Sequence, residues 1–297
     1  MIRFTLVIRN ISMLIGSFIV VLISVADDKI RITDSHGKWA FEKPPERIAI
    51  VNWTLTEQLL ELGISPVAIA DLSGFNKQSP QTTITNQNNI IDLGSRFGPN
   101  LSKLKSSKPD LIIIGYSQRD LMRPLSNIAP VMYFNNFSRR FDNAKKADER
   151  FLVLAKLFNK TDFAKRKLQD RDNKINKIKQ ELNRHFNKTL PNLNIALIDK
   201  KNAWVFLENS VPFYVASKLG FPSKLTQKPS KLGTHKIPLT ELNQNSDCVV
   251  LVDKSQPTQR FTQNKQCLYT MQATNNYGGA MSQLYLAEAI KKAILTN

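Results

Sequence analysis

The sequence predicts two α/β lobes with mostly parallel sheets, joined by one long α-helix. Three observations carry the prediction. Short unbroken apolar runs such as residues 111–114 alternate with amphipathic stretches, the pattern of buried parallel strands and their crossover helices. A charged, continuously helical pattern occupies residues 142–185, and strand and helix signals resume beyond it. The chain has 297 residues, and the portion beyond its N-terminal leader, about 270 residues, exceeds what one hydrophobic core usually serves.

Residues 1–26 read as a secretory signal. Arg3 and Arg9 form a cationic start, residues 11–25 are almost wholly apolar, and Ser24-Val25-Ala26 places small residues at a cleavage site. The mature chain then begins at Asp27, in the periplasm. An apolar stretch of about 15 residues is short of the ~20 that span a membrane; an uncleaved N-terminal anchor is the alternative. No cysteine stands near Ala26 to carry a lipid. The formal charge is +18, or +16 once Arg3 and Arg9 leave with the signal. In a cytosolic protein that excess would suggest nucleic acid. Export argues against it and leaves anionic ligands, an anionic membrane surface or plain solubility.

In the first lobe, residues 27–141, strands are expected at 47–51 and 66–70 around a helix over 54–62, opened by a capping box, Thr54 with Glu57, and ended by Gly63. A buried strand at 111–114, a helix at 119–127 and a strand at 131–134 follow. Residues 71–89, rich in Ser, Thr, Asn and Gln, read as a long polar loop, functional or mobile. The helical segment, 142–188, breaks near 159–161. Its second part carries Phe163, Leu168, Ile175, Ile178, Leu182 and Phe186 as an apolar stripe amid charged residues. About 25 residues at 1.5 Å each span nearly 40 Å, enough to bridge two lobes. Signals at 193–198, 204–207, 211–219, 247–252 and 279–295 make the second lobe, 189–297.

Cys248 and Cys267 are the two cysteines, each at the border of an apolar segment. Neighbouring strands would let them pair in an oxidising compartment; the alternative is two buried thiols acting as small apolar residues. With no C-x-x-C and no nearby His, neither reading makes a metal site. Nucleophile-elbow, phosphate-loop, dinucleotide and H-E-x-x-H motifs are absent, and His36, His185 and His235 are scattered. An enzyme is therefore not expected. Nor are there repeats that would favour an adhesion or scaffold protein.

One segment is more specific. From Pro45-Glu46-Arg47 through Asn52-Trp53-Thr54 to Leu62-Gly63-Ile64, the chain resembles the opening strand, turn and helix of the class III periplasmic binding proteins, which serve ABC importers of ferric siderophores, haem and cobalamin. Within them it is most similar to the ferric-hydroxamate-binding branch. Asp92-Leu93-Gly94-Ser95-Arg96-Phe97-Gly98, Lys108-Pro109-Asp110-Leu111 and Tyr277-Gly278-Gly279 agree and run in the family's order. The resemblance implies a monomer with a ligand cleft between its lobes, a rigid linking helix and small closure. It implies capture of a ferric siderophore, hydroxamate type favoured, and delivery to an inner-membrane ABC permease and its ATPase. Iron would be held by the siderophore, with no cofactor and no protein metal site. A haem- or cobalamin-binding member of the same superfamily is the alternative.

The resemblance also implies site residues. Arg96 matches an arginine that contacts the oxygens around ferric hydroxamate, a task suited to the paired donors of a guanidinium. Tyr116 falls near a tyrosine that hydrogen-bonds the same centre, and Trp53 matches an aromatic lining the cleft. Otherwise Arg96 is a surface ion-pair residue and the two aromatics are core. The second lobe departs from the pattern. Leu232-Gly233-Thr234 and Asn275 stand where the hydroxamate branch has tryptophans, so Thr234, Asn275, Asn276 and Tyr277 would make a more polar cleft, with His235 and Lys236 close by. Such a cleft also suits a more anionic catecholate or carboxylate siderophore. For permease docking, the family's one acidic residue per lobe maps to Asp120, at the start of the helix after the third strand, and Glu241, on a short helix before Asp247.

Overall fold

The computed structural model describes residues 29–79, 82, 84, 87–140, 142–199, 202–224, 227–244, 248–253, 267–272 and 278–296. The leader, residues 1–26, lies outside them. An antiparallel hairpin, β1 (Ile30–Thr33) and β2 (Lys38–Phe41), comes first. Then β3 (Ile48–Ile50), β4 (Ala68–Ile69), β5 (Ile91–Asp92), β6 (Leu111–Gly115) and β7 (Val131–Phe134) form a parallel sheet in the order β5-β4-β3-β6-β7. Its connections carry α1 (Trp53–Glu61), α2 (Leu72–Gln78), α3 (Leu101–Ser106) and α4 (Met122–Ser126). Successive side chains of a strand point to opposite faces. Ile48, Ile50, Leu111 and Ile113 therefore pack with Leu55 and Leu59 of α1, while Ala49, Ile112 and Ile114 pack with Leu104 and Leu125 on the other side. Both faces are covered, which is why these strands read as unbroken apolar runs.

Two local expectations are corrected. Thr54 does not open α1. Asn52 caps it, its side chain accepting from the Leu55 N–H at 3.3 Å, and Glu57 is buried against the second lobe, where it accepts a 2.7 Å hydrogen bond from Ser282 Oγ. The polar stretch 71–89 is not loop throughout. Asp71 caps α2 by accepting from the Gly74 N–H at 3.2 Å, and Phe75 is fully buried beneath the helix. One apolar anchor was too little for a periodic signal.

Helices α5 (Asn143–Leu157) and α6 (Thr161–His185) follow. Phe151 and Leu154 of α5 belong to the first lobe's core. Helix α6 serves both cores: Ala164 and Leu168 pack in the first, Ile175, Ile178 and Leu182 in the second. Phe163, counted in the apolar stripe, is exposed instead, with the ammonium groups of Lys160 and Lys167 each 5.7 Å from its ring centroid.

The second lobe is a mixed sheet of β8 (Leu193–Asp199), β9 (Asn202–Phe206), β10 (Thr234–Pro238), β11 (Cys248–Asp253) and β12 (Leu268–Gln272), ordered β10-β9-β8-β11-β12. Strands β8, β11 and β12 are parallel, and β9 runs antiparallel to both β8 and β10. Helices α7 (Val211–Leu219), α8 (Leu239–Gln244) and α9 (Ser282–Leu295) complete it. Two buried arginines join the lobes. Arg150 of α5 donates to the Gly278 carbonyl and Arg171 of α6 to the Ala280 carbonyl, both at 3.0 Å, holding the chain that enters α9. Gly279 has no room for a side chain, since a Cβ there would sit 2.2 Å from Glu57 Oε1.

A disulfide joins Cys248, at the start of β11, to Cys267, just before β12, with Cα atoms 4.8 Å apart. The closed loop is short, and chain-entropy reasoning gives about 3 kcal/mol of stabilisation for such a loop. Reduction is expected to lower the unfolding free energy measured in urea by that amount. An unchanged urea curve in reductant would show that the crosslink contributes nothing.

Candidate binding site

The strand order of the first sheet reverses between β3 and β6, so the chain leaves these neighbouring strands in opposite directions and a crevice opens at their C-terminal ends. Trp53 follows β3 and Tyr116 follows β6. Both therefore stand at the crevice. Beneath them lie three buried amides that sequence reasoning missed, because no motif marks them. Asn52 Nδ2 donates to Gln118 Oε1 at 3.0 Å, and Asn136 Oδ1 accepts from the Tyr116 N–H at 3.0 Å. The amides lock the turn that presents Tyr116.

Arg96 follows β5 and lies over Trp53, its Cζ 3.5 Å from the ring centroid, a close cation–π contact. Trp53 is only 6% exposed, and its indole N–H donates to the Ala70 carbonyl at 3.1 Å. The tryptophan is thus less an open wall of the crevice than a fixed platform under the arginine. Asp71 Oδ2 lies 3.8 Å from Arg96 Nε. Burial draws the Arg96 pKa below its ordinary value and Asp71 pulls it partly back, which leaves the group a cation.

The second lobe reaches this crevice through the chain before β10. Lys231 sets its ammonium 3.7 Å from the ring centroid of Tyr116 and in contact with its hydroxyl. Ser230 Oγ accepts from the Thr234 N–H at 2.9 Å and donates to the Thr234 carbonyl at 2.7 Å, closing a tight turn below Lys231. Gly233 holds φ at +69° against Ser210, where a Cβ would come within 2.8 Å of the serine's own. Asn209 Nδ2 bridges the lobes, donating to the carbonyls of Ser230 and Ser138. Thr234 is half-buried in this turn. His235 and Lys236 are exposed on β10, Lys236 lying 5.6 Å over Trp204. Asn275, Asn276 and Tyr277 lie outside the described residues.

Asp120 is exposed near the end of a 3-10 turn, Tyr116–Leu121, not at the start of a helix; α4 begins two residues later. Glu241 is exposed on α8. Each lobe therefore shows one of the two carboxylates.

A model of the periplasmic binding protein family matches residues 48–266. The chain belongs to that family. Among solved structures it is similar to the siderophore binding protein FhuD from Vibrio cholerae, crystallised bound to Fe3+-Desferal: 32% identity, 84% of this chain and 98% of that one, TM-score 0.79. Among curated proteins it is similar to the iron(3+)-hydroxamate-binding protein FhuD of Escherichia coli, 28% identical over 70% of this chain and 68% of that protein. The Fe(3+)-citrate-binding protein YfmC of Bacillus subtilis is 29% identical over 56% of this chain. The chain spans about half the length of YfmC and of a second Bacillus subtilis relative, YhfQ. A catecholate-siderophore binding protein, VctP from Vibrio cholerae, shares the fold at 20% identity and a TM-score of 0.69. Members of this family are solute-binding proteins, which accords with the missing catalytic motifs.

Proposed function

We propose that this chain is a periplasmic solute-binding protein that captures a ferric siderophore in the crevice between its lobes and delivers it to an ABC importer. The observation that carries the reading is that Trp53, with Arg96 seated on it, and Tyr116 stand at the ends of neighbouring strands at the switch point of the first sheet. Arg96 and Tyr116 present donors suited to oxygens bound to iron. The FhuD and YfmC relatives bind ferric hydroxamate and ferric citrate, which supports the class of ligand; the donors of Arg96 and Tyr116 suit the iron-bound oxygens of either type. Iron in this reading is cargo held by the siderophore. Asp120 and Glu241 are assigned to docking on the permease.

Because Arg96 covers the Trp53 ring, a ligand that engages the arginine should change tryptophan fluorescence. Titration with ferric hydroxamates, catecholates and citrate, alongside haemin and cobalamin, tests the reading. At least one ferric siderophore is expected to bind; saturation by a tetrapyrrole alone would replace the proposal. A charge-assisted hydrogen bond is worth about 1.5–3 kcal/mol, so Arg96→Ala should weaken that ligand roughly 10- to 150-fold. Unchanged affinity with an unchanged melting curve would remove Arg96 from the site.

A further inference from the structure

We infer that Lys231 is a ligand-contacting residue of the second lobe and makes the crevice prefer ferric chelates of net negative charge. The inference rests on the ferric-siderophore reading and refines it. Lys231 is exposed and comes from the opposite lobe, yet its ammonium lies on Tyr116, the residue assigned to the iron-bound oxygens. Its backbone is held rather than loose: Ser230 is bonded twice to Thr234, and Asn209 ties Ser230 to Ser138 of the first lobe. Among the described residues no carboxylate forms an ion pair with Lys231. The charge is met by an aromatic ring and a neutral hydroxyl.

A cation so placed has a weak partner to give up. An anionic ligand on Tyr116 would exchange the ring contact for a charge-assisted one. A neutral or cationic complex must displace the ammonium without that return. Among the described residues two cations, Arg96 and Lys231, lie on the two aromatics of the crevice, Trp53 and Tyr116, and Asp71, the carboxylate beside them, already faces Arg96. The field therefore favours anions. Sequence reasoning pointed to His235 and Lys236, whose exposed positions on β10 carry Lys236 to Trp204 instead.

The test compares two probes on the full protein, ferric dicitrate as the anion and Fe3+-Desferal, which carries a free ammonium, as the cation. Calorimetric titration of Lys231→Met should show ferric dicitrate weakened about tenfold or more, with Fe3+-Desferal unchanged or tighter. Lys231→Arg should keep the wild-type order, and the dicitrate affinity should fall with added salt. A thermal melt checks that the exposed substitution leaves the fold intact. Equal weakening of both probes would mark Lys231 as structural, and no change in either would place it outside the site. Each result overturns the inference while leaving the siderophore reading in force. A wild-type protein that binds no ferric chelate would overturn both.

Discussion

Reversing both carboxylates proposed for docking, Asp120→Arg with Glu241→Arg, is expected to abolish uptake of the ferric ligand and stimulation of the permease ATPase, with ligand affinity and melting unchanged. Both side chains are exposed, one on each lobe. A single exposed ion pair contributes about 0.2–1 kcal/mol. Two pairs on separate lobes also set orientation, and like charges brought together in a docked complex cost several kcal/mol. The double reversal is thus far more damaging than the loss of two weak contacts. Transport by reconstituted permease, measured beside ligand titration of the same variant, decides the matter. Normal transport would show that the protein docks through another surface.

Arg171→Met is expected to destabilise the fold by about 3 kcal/mol, the lower end of the range for breaking a buried ion pair. The guanidinium is 2% exposed. It donates to Asp148 Oδ2 at 2.9 Å, to Asp172 Oδ1 at 2.8 Å and to the Ala280 carbonyl at 3.0 Å, so α5, α6 and the entry to α9 meet on one side chain. Burial opposes the charge, but the bonds to Asp148 and Asp172 outweigh it and the Arg171 pKa is raised. The lower end applies because Asp148 and Asp172 keep some contact with water, at 27% and 42% exposure. Urea unfolding checks the figure, and a loss under about 1 kcal/mol would mean the site relaxes around the gap. There is a pH signature too. Burial raises the Asp172 pKa, but the bonds from Arg171 and Lys218 lower it further, so the net shift is downward. A carboxylate depressed in the folded state stabilises above its unfolded pKa, and that contribution is lost as pH falls through the folded value. Wild-type stability should therefore decline in acid below about pH 4, more steeply than that of Arg171→Met.

Much of the fold was legible from local pattern. The run at 111–114 announced β6 because both of its faces are covered, and the spacing from Leu168 to Leu182 announced α6 because one side of that helix packs while the other is solvated. Positions flanking the strands were legible by resemblance, which drew attention to Arg96 and Tyr116 without showing what either touches. The cap of α1 was misread because Glu57, suited by sequence to a capping box, is taken up by Ser282, 225 residues away. Helix α2 was hidden because a single phenylalanine anchors it.

By itself the sequence determined the alternation of elements, the two cores and the helix between them, since each depends on the period of apolar residues along one stretch of chain. Only the tertiary structure decided that Arg96 rests on Trp53, that Asn209 ties Ser230 to Ser138, and that Lys231 of one lobe lies on Tyr116 of the other. Those contacts join residues as many as 115 positions apart. They follow from how two sheets face each other across a crevice, a relation for which the periodicity of neither lobe holds a signal.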